Sequence, residues 1–468
     1  MLFNSFPFLI FFAAFLLAYR LAPRRARIPL LLAASLLFYS LWIPAYVLLL
    51  VFEIGVNWLL LRAIARGPRP RIALAASITF TLSLLAYFKY AAFLVASVSP
   101  LMERLLGSHP VLSEILLPLG ISFYSFNILG LAIDTARGRE GEPPRLAHYA
   151  LFIVFFPHLI AGPILRGRDF LPQLAQGERM TPGRTRRGLW LLASGIGKKM
   201  ILGDFVLAPF VTDVFTSPGV ASAPVHWLAL YSFAFQIYFD FAGYTDMARG
   251  LACLLGYELP VNFIEPYLSR SPAEFWRRWH ITLSSWLRDY LYVPLGGNRR
   301  GRVRTYVNLL ATMLLGGLWH GAGWNFLVWG GLHGLLLVVH RAFAGRSAAA
   351  EAPLSWRDAP KVVVCFHAVI LPWVFFRADS FADATAFLAG LFTGGLGEPW
   401  PALQTLAVAA CFGLHGLERY ARPRLARLRA ALGDGPIGGL VEGLAFGTLV
   451  ALAIAASGTG AEFIYFQF

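Results

Sequence analysis

Residues Ser271–Asn298 read SPAEFWRRWHITLSSWLRDYLYVPLGGN, and the fold turns on how that stretch is read. Glu274, Arg277, Arg278, His280, Arg288 and Asp289 crowd among Trp276, Trp279 and Trp286 in an otherwise apolar chain. Ionisable groups near a bilayer are costly and are usually kept for function. Read as one helix, Arg277, Ser284 and Arg288 share a face at spacings of seven and four, while Trp279 and Trp286 share another. Glu274 stands three and four positions before Arg277 and Arg278, where an ion pair can hold the guanidinium forks. The same pattern also describes an interfacial helix with a tryptophan belt and snorkelling arginines.

Composition restricts the class. Of 468 residues, 57% are hydrophobic, 15% aromatic and only 14% charged, more apolar surface than a soluble domain of this size can hide. The expected class is an all-α polytopic membrane protein. The formal net charge of +15 is concentrated in short loops between apolar runs, which is the positive-inside pattern and not a nucleic-acid surface. Cys253, Cys365 and Cys411 are scattered in apolar surroundings with no CxxC spacing, so no disulfide framework or metal site is expected. The run Leu2–Ala18 has no basic residue before it and no small-residue cleavage site after it, and reads as a retained membrane helix.

Basic clusters sketch the topology. Arg20–Arg27 and Arg62–Arg71 should both face the cytoplasm. The intervening 28–61 then crosses twice or dips and returns, as a pair of short helices divided near Pro44. Residues 72–99 cross outward, the loop Glu103–Ser113 lies outside, and Ile115–Thr135 crosses back to the basic loop Arg137–Arg145. In His148–Ile164, the residues FFPHLIAGPIL contain Pro157, Gly162 and Pro163 and predict a broken, re-entrant element, with His158 either bonded to that backbone or touching substrate. Leu189–Phe210 is interrupted by Lys198 and Lys199. In Trp227–Leu255, Gln236, Asp240 and Tyr244 form one helical stripe and Asp246 follows. Two carboxylates there suit paired acid and base work or a cation site, but ion pairing with Arg277, Arg278 or Arg288 is the simpler expectation.

Further apolar segments are Tyr306–Leu318, Trp324–Val339, Val362–Phe376, Phe381–Phe392, Leu403–Leu417 and Ile437–Ala456. Basic stretches at Arg341–Lys361 and Arg419–Arg429 are read as a linker and a loop. The total is about ten to twelve crossings at about 20 residues each, with re-entrant and amphipathic helices besides. No internal repeat is visible, which weakens a repeat-built transporter.

His320 ends the run NLLATMLLGGLW and lies 40 positions after His280. Imidazole is the usual group for taking a hydroxyl proton near neutral pH, although an intramembrane histidine can equally bond across helices as a packing residue. Gly316, Gly317, Gly321 and Gly323 permit close approach of backbone or ligand.

EFWRRWHITLSSWLRDYLYVPLGGNRRG, followed by NLLATMLLGGLWHG, resembles the signature of the membrane-bound O-acyltransferase superfamily. LLPLGISFYSF (Leu116–Phe126), FFPHLIAGPILR (Phe155–Arg166) and QIYFDFAGYTDMARGL (Gln236–Leu251) match its bacterial alginate-type branch in order and spacing, and more distantly the D-alanyl transfer branch. The likeness covers residues 85–340. It implies a ring of helices around a central tunnel, in one integral membrane domain with N-terminal helices over 1–112, a catalytic core over 113–342 and C-terminal helices over 343–468. It implies that His320 is the main catalytic histidine, His280 the second and Asn308 the polar residue twelve positions upstream.

On that likeness, the expected reaction is direct acyl transfer, because no Ser-His-Asp spacing or GxSxG elbow is present. An acetyl thioester, either acetyl-CoA or an acyl carrier protein, would meet Arg277, Arg278, Arg288, Arg299 and Arg300. Trp279, Trp319, Asp289 and Tyr292 complete the expected donor site, while Asp240, Asp246, Glu274 and His158 support it. Asn308 or an indole N–H would face the oxyanion. No bound cofactor or metal is expected. The expected partners are the bilayer, the donor, periplasmic or membrane acetylation proteins and a polysaccharide acceptor, at the cell inner membrane. Rival readings are D-alanyl or peptidoglycan acyl transfer, a polysaccharide or lipid transporter, and a non-catalytic scaffold.

Overall fold

The computed structural model describes residues 3–107, 115–178, 180–217, 219, 221–344, 354–393, 395 and 401–432, with 439, 443, 444, 446–448 and 451 beyond; for 344 and 420–432 it describes the backbone alone. Residues 108–113 of the expected outer loop, Arg179, positions 345–353 of the linker and most of Ile437–Ala456 lie outside the described residues.

Among the described residues every regular element is a helix. In chain order these are α1 Phe6–Leu21, α2 Arg24–Ser40, α3 Ala45–Arg66, α4 Pro70–Leu85, α5 Ala91–Leu106, α6 Ile121–Ala136, α7 Leu146–Val154, α8 Phe156–Leu159, α9 Gly167–Gln176 and α10 Pro182–Ile196. They continue as α11 Ala208–Thr216, α12 Ala223–Leu254, α13 Pro272–Arg278, α14 Ile281–Leu287, α15 Gly301–His320, α16 Trp324–Ala344, α17 Ala359–Ile370, α18 Trp373–Arg377, α19 Phe381–Thr393 and α20 Ala402–Leu432. Four apolar stretches among the described residues are long enough to cross a membrane: Ala45–Arg66, Pro70–Leu106, Trp324–Phe343 and Trp356–Arg377. Shorter apolar helices lie at Phe6–Leu21, Ile121–Ala136 and Phe381–Thr393. This is an all-helical membrane protein, as its composition demands.

The chain forms two compact units, Met1–Leu189 with Met247–Pro260, and Trp190–Asp246 with Val261–Phe468. In the first unit the 28–61 region divides as its proline predicts, with Pro44 capping α3. Residues of α3 and α4 zip together through buried polar groups: Ser77 donates to Asn57 Oδ1 at 2.7 Å and Asn57 Nδ2 to Thr81 Oγ1 at 3.2 Å. The PHLIAGP element is broken between α7 and α8 and wholly buried. Its freed backbone donors find side chains on neighbouring helices: Phe156 N–H donates to Ser35 Oγ at 3.3 Å and Leu165 N–H to Asn127 Oδ1 at 3.0 Å. That satisfaction is what permits irregular backbone in an apolar setting. Gly120 has φ +71°, and a Cβ there would lie 2.4 Å from the Leu159 carbonyl oxygen.

In the second unit, α10 runs into a π-helical stretch, Gly197–Leu207, that carries Lys198 and Lys199. The aspartates of α12 pair with these lysines and not with the arginines expected from the sequence. Lys199 bonds Asp240 and, at 3.1 Å, Asp204, while Lys198 bonds Asp246 at 3.1 Å and Glu418 at 2.8 Å. The reason is local. A Cβ on Gly243 would sit 2.7 Å from the Gly195 carbonyl oxygen, so α12 passes close enough to this stretch for short lysine reach. The basic stretch Arg419–Arg429, expected to be a loop, continues α20 to Leu432, since Arg, Ala and Leu are strong helix formers.

Candidate active site

The Ser271–Asn298 stretch is not one helix. The backbone leaves α13 at Trp279, turns left-handed at His280 (φ +42°, ψ +56°) and restarts as α14. Segment 262–264 causes the break: Ile264 N–H takes the Arg278 carbonyl at 3.0 Å, and Ile281 N–H donates to the Asn262 carbonyl at 2.9 Å. Arg277, Ser284 and Arg288 therefore do not form the single stripe that the spacing predicts.

His280 is completely buried. Thr282 donates its backbone N–H at 3.1 Å and its hydroxyl at 2.9 Å to Asn262 Oδ1, and His280 Nδ1 lies 3.2 Å from the same oxygen. A backbone N–H can only donate, so the atom it meets is the amide oxygen, and His280 Nδ1 must carry the proton. The lone pair is left on Nε2, which has no hydrogen-bond partner among the described residues.

His320 ends α15, buried, with its ring against Trp319 at 4.8 Å, Trp329 at 4.9 Å and Phe376 at 5.3 Å between centroids. The His280 ring lies 6.2 Å from Trp319, so both imidazoles contact one indole. Close contact of α15 with α16 positions Trp329. A Cβ on Gly317 would meet the Phe326 carbonyl oxygen at 2.2 Å, which leaves room for glycine alone.

Asn308 does not join this group. Twelve residues at 1.5 Å rise put it about 18 Å from His320 along α15, and its Nδ2 donates to the Gly297 carbonyl at 3.0 Å. The indole N–H of Trp329 is buried without an acceptor among the described residues and belongs to a ring touching His320. It is the better-placed donor of the two alternatives that the resemblance implies.

The remaining expected residues separate by environment. Glu274 binds Arg278 Nη2 at 2.8 Å, as its spacing predicts, and also Arg270 Nε at 3.0 Å. Burial pushes the Glu274 carboxyl up, but the Arg270 hydrogen bonds and the Arg278 charge outweigh that and hold it below the usual carboxylate range. Arg277 is exposed, and exposed Arg288 pairs with Asp289 at 2.8 Å. Trp279 is core, stacked on Phe275 and 5.1 Å from Trp373. Tyr292 is half-buried at the end of a π-helical turn, Arg288–Tyr292. In the first unit, His158 Nε2 bonds the Phe152 carbonyl at 3.2 Å, within its own broken element.

Sequence reasoning missed Asn262 and the two lysines as bonding partners and Trp329 as a ring against His320. A lone Asn in PVNF carries no signal, whereas WHGAGWNFLVW does place Trp329 nine residues after His320.

The family model described as MBOAT, membrane-bound O-acyltransferase family, matches residues 71–378. The chain is 42% identical over 404 residues to the probable alginate O-acetylase AlgI of Azotobacter vinelandii, covering 84% of this chain and 79% of that protein. It is 35% identical over 434 residues to the peptidoglycan O-acetyltransferase of Helicobacter pylori, covering 84% and 80%. It is 29% identical over 286 residues to the teichoic acid D-alanyltransferase of Streptococcus thermophilus, covering 55% and 68%.

Proposed function

The chain belongs to the membrane-bound O-acyltransferase family and is an O-acyltransferase, and from that premise we propose that it moves an acetyl group from a cytoplasmic thioester to a hydroxyl, toward an extracytoplasmic polysaccharide. Its site would lie in an inner-membrane ring of ten to twelve segments with a central tunnel. His320 takes the proton from the acceptor hydroxyl as the oxygen attacks the thioester carbonyl carbon. The C–O bond forms, the C–S bond breaks, and His320 returns the proton to the departing thiolate. The indole N–H of Trp329 faces the oxygen on which charge develops. His280, its tautomer set by Asn262, orients the donor through its Nε2 lone pair. Exposed Arg277, Arg288, Arg299 and Arg300 meet the donor phosphates, while Trp319 separates the two imidazoles.

The observation that carries this reading is the pair of buried imidazoles against one indole, one of them with its tautomer fixed. Acetylase names among the relatives favour acetyl over D-alanyl, and a partner protein would pass the group to the polymer. Purified protein reconstituted with radiolabelled acetyl-CoA tests it. Label transfer should be lost in His320→Ala with the fold retained, and undiminished turnover in that variant would overturn the role of His320.

A further inference from the structure

A second site lies at the opposite end of α15 from His320. A cavity of about 560 Å³ opens there, lined by Asn298, Arg302, Thr305, Tyr306 and Arg341. Arg302 begins α15 and Arg341 ends α16, so two guanidinium groups meet at the foot of one helical hairpin. Among the described residues no carboxylate lines the cavity and neither arginine has an ion-pair partner. Arg299, Arg300 and Arg304 add to the same end, and the charges of Arg277 and Arg341 both reach His340. Like charges gathered around a cavity repel unless an anion joins them. The first-turn N–H groups of a 20-residue helix favour the same sign of ligand.

Beside the cavity, the outer faces of the two helices are apolar and open. Val303 is 76% exposed and Phe343 89%, with Val307 and Val339 also exposed. A ligand bound here would present phosphate to arginine and hydrocarbon to valine and phenylalanine. We propose that this cavity binds the headgroup of an anionic phospholipid, with the acyl tails along α15 and α16. Basic cavities between membrane helices on the cytoplasmic side suit such headgroups. The apolar faces of Val303 and Phe343 beside the cavity favour a ligand with hydrocarbon tails over a nucleotide-bearing donor. The site does not depend on the acyl-transfer reading.

The test is native mass spectrometry of the full chain in detergent with added phosphatidylglycerol or phosphatidylcholine. Wild-type protein should retain phosphatidylglycerol preferentially, and Arg302→Gln/Arg341→Gln should weaken retention on the order of tenfold or more. The charge-matched control Arg24→Gln/Arg25→Gln should keep it, and Arg302→Lys/Arg341→Lys, which preserves charge, should keep most of it. Equal retention in all variants, or equal loss in the two glutamine pairs, overturns the site. Displacement of phosphatidylglycerol from wild type by acetyl-CoA overturns the lipid assignment in favour of a donor phosphate. None of these readouts requires acyl transfer, so failure here is distinct from failure at His320.

Discussion

Asn262 Oδ1 lies 3.2 Å from His280 Nδ1 while accepting both donors of Thr282, so one amide oxygen caps the start of α14 and sets the tautomer of a buried imidazole. Asn262→Ala removes the acceptor that three donors share. It should cost on the order of 1–3 kcal/mol of stability and reduce turnover, whereas Asn262→Asp keeps the acceptor oxygen and should retain more of both. Thermal unfolding and label transfer on both variants check this, and equal behaviour of the two would remove the tautomer argument.

Trp329→Phe keeps an aromatic ring against His320 but removes the indole N–H. If that N–H meets the oxyanion, the kcat for acyl transfer should fall on the order of 10²-fold with little change in KM. A variant with wild-type kcat would show that the indole serves packing alone.

Lys199 is 1% exposed and bonds two buried aspartates. Lys199→Met removes the cation that two buried carboxylates share and should destabilise by about 3–5 kcal/mol. Adding Asp240→Asn removes one of the two negative charges and should restore a measurable part of the unfolding temperature. Additive losses in the double variant would argue that the ion cluster is not a coupled unit.

Glu274 predicts an acid limit. Its folded-state pKa lies below that of an unfolded glutamate, about 4.3, so its contribution to stability is present above that value and is lost as pH falls through the folded one. Unfolding temperature measured from pH 7 down to pH 3 should drop more steeply in wild type than in Glu274→Gln. Parallel profiles would assign the acid sensitivity to other carboxylates.

Gly317→Ala adds one methyl group where the Phe326 carbonyl oxygen stands 2.2 Å away. The helices must part, at roughly 1–3 kcal/mol for overpacking, and His320 and Trp329 must move with them. Turnover should fall along with thermal stability. Full activity in this variant would mean that the hairpin adjusts without disturbing either ring.

The helical class, the division at Pro44, the broken PHLIAGP segment and the Glu274–Arg278 pair were legible in the sequence because each rests on hydrophobic run length, a proline or an i,i+4 spacing. The break at His280 was not, since no Gly or Pro marks it and its cause lies in residues 262–264. The partners of Asp240 and Asp246 were misread for a related reason: arginine density in the sequence says nothing about which cation the packing brings near, and the lysines sit on a π-helical stretch with no local signature. Asn308 was named through likeness, although the rise of a helix already separates it from His320.

The positive φ of His280 bears on how its side chain should be probed. Left-handed backbone costs an ordinary L-residue about 1–2 kcal/mol, and asparagine and glycine occupy it most readily. His280→Ala would therefore confound backbone strain with loss of the ring. His280→Asn and His280→Gly leave the main chain at ease, and whatever activity those two lose in common belongs to the imidazole.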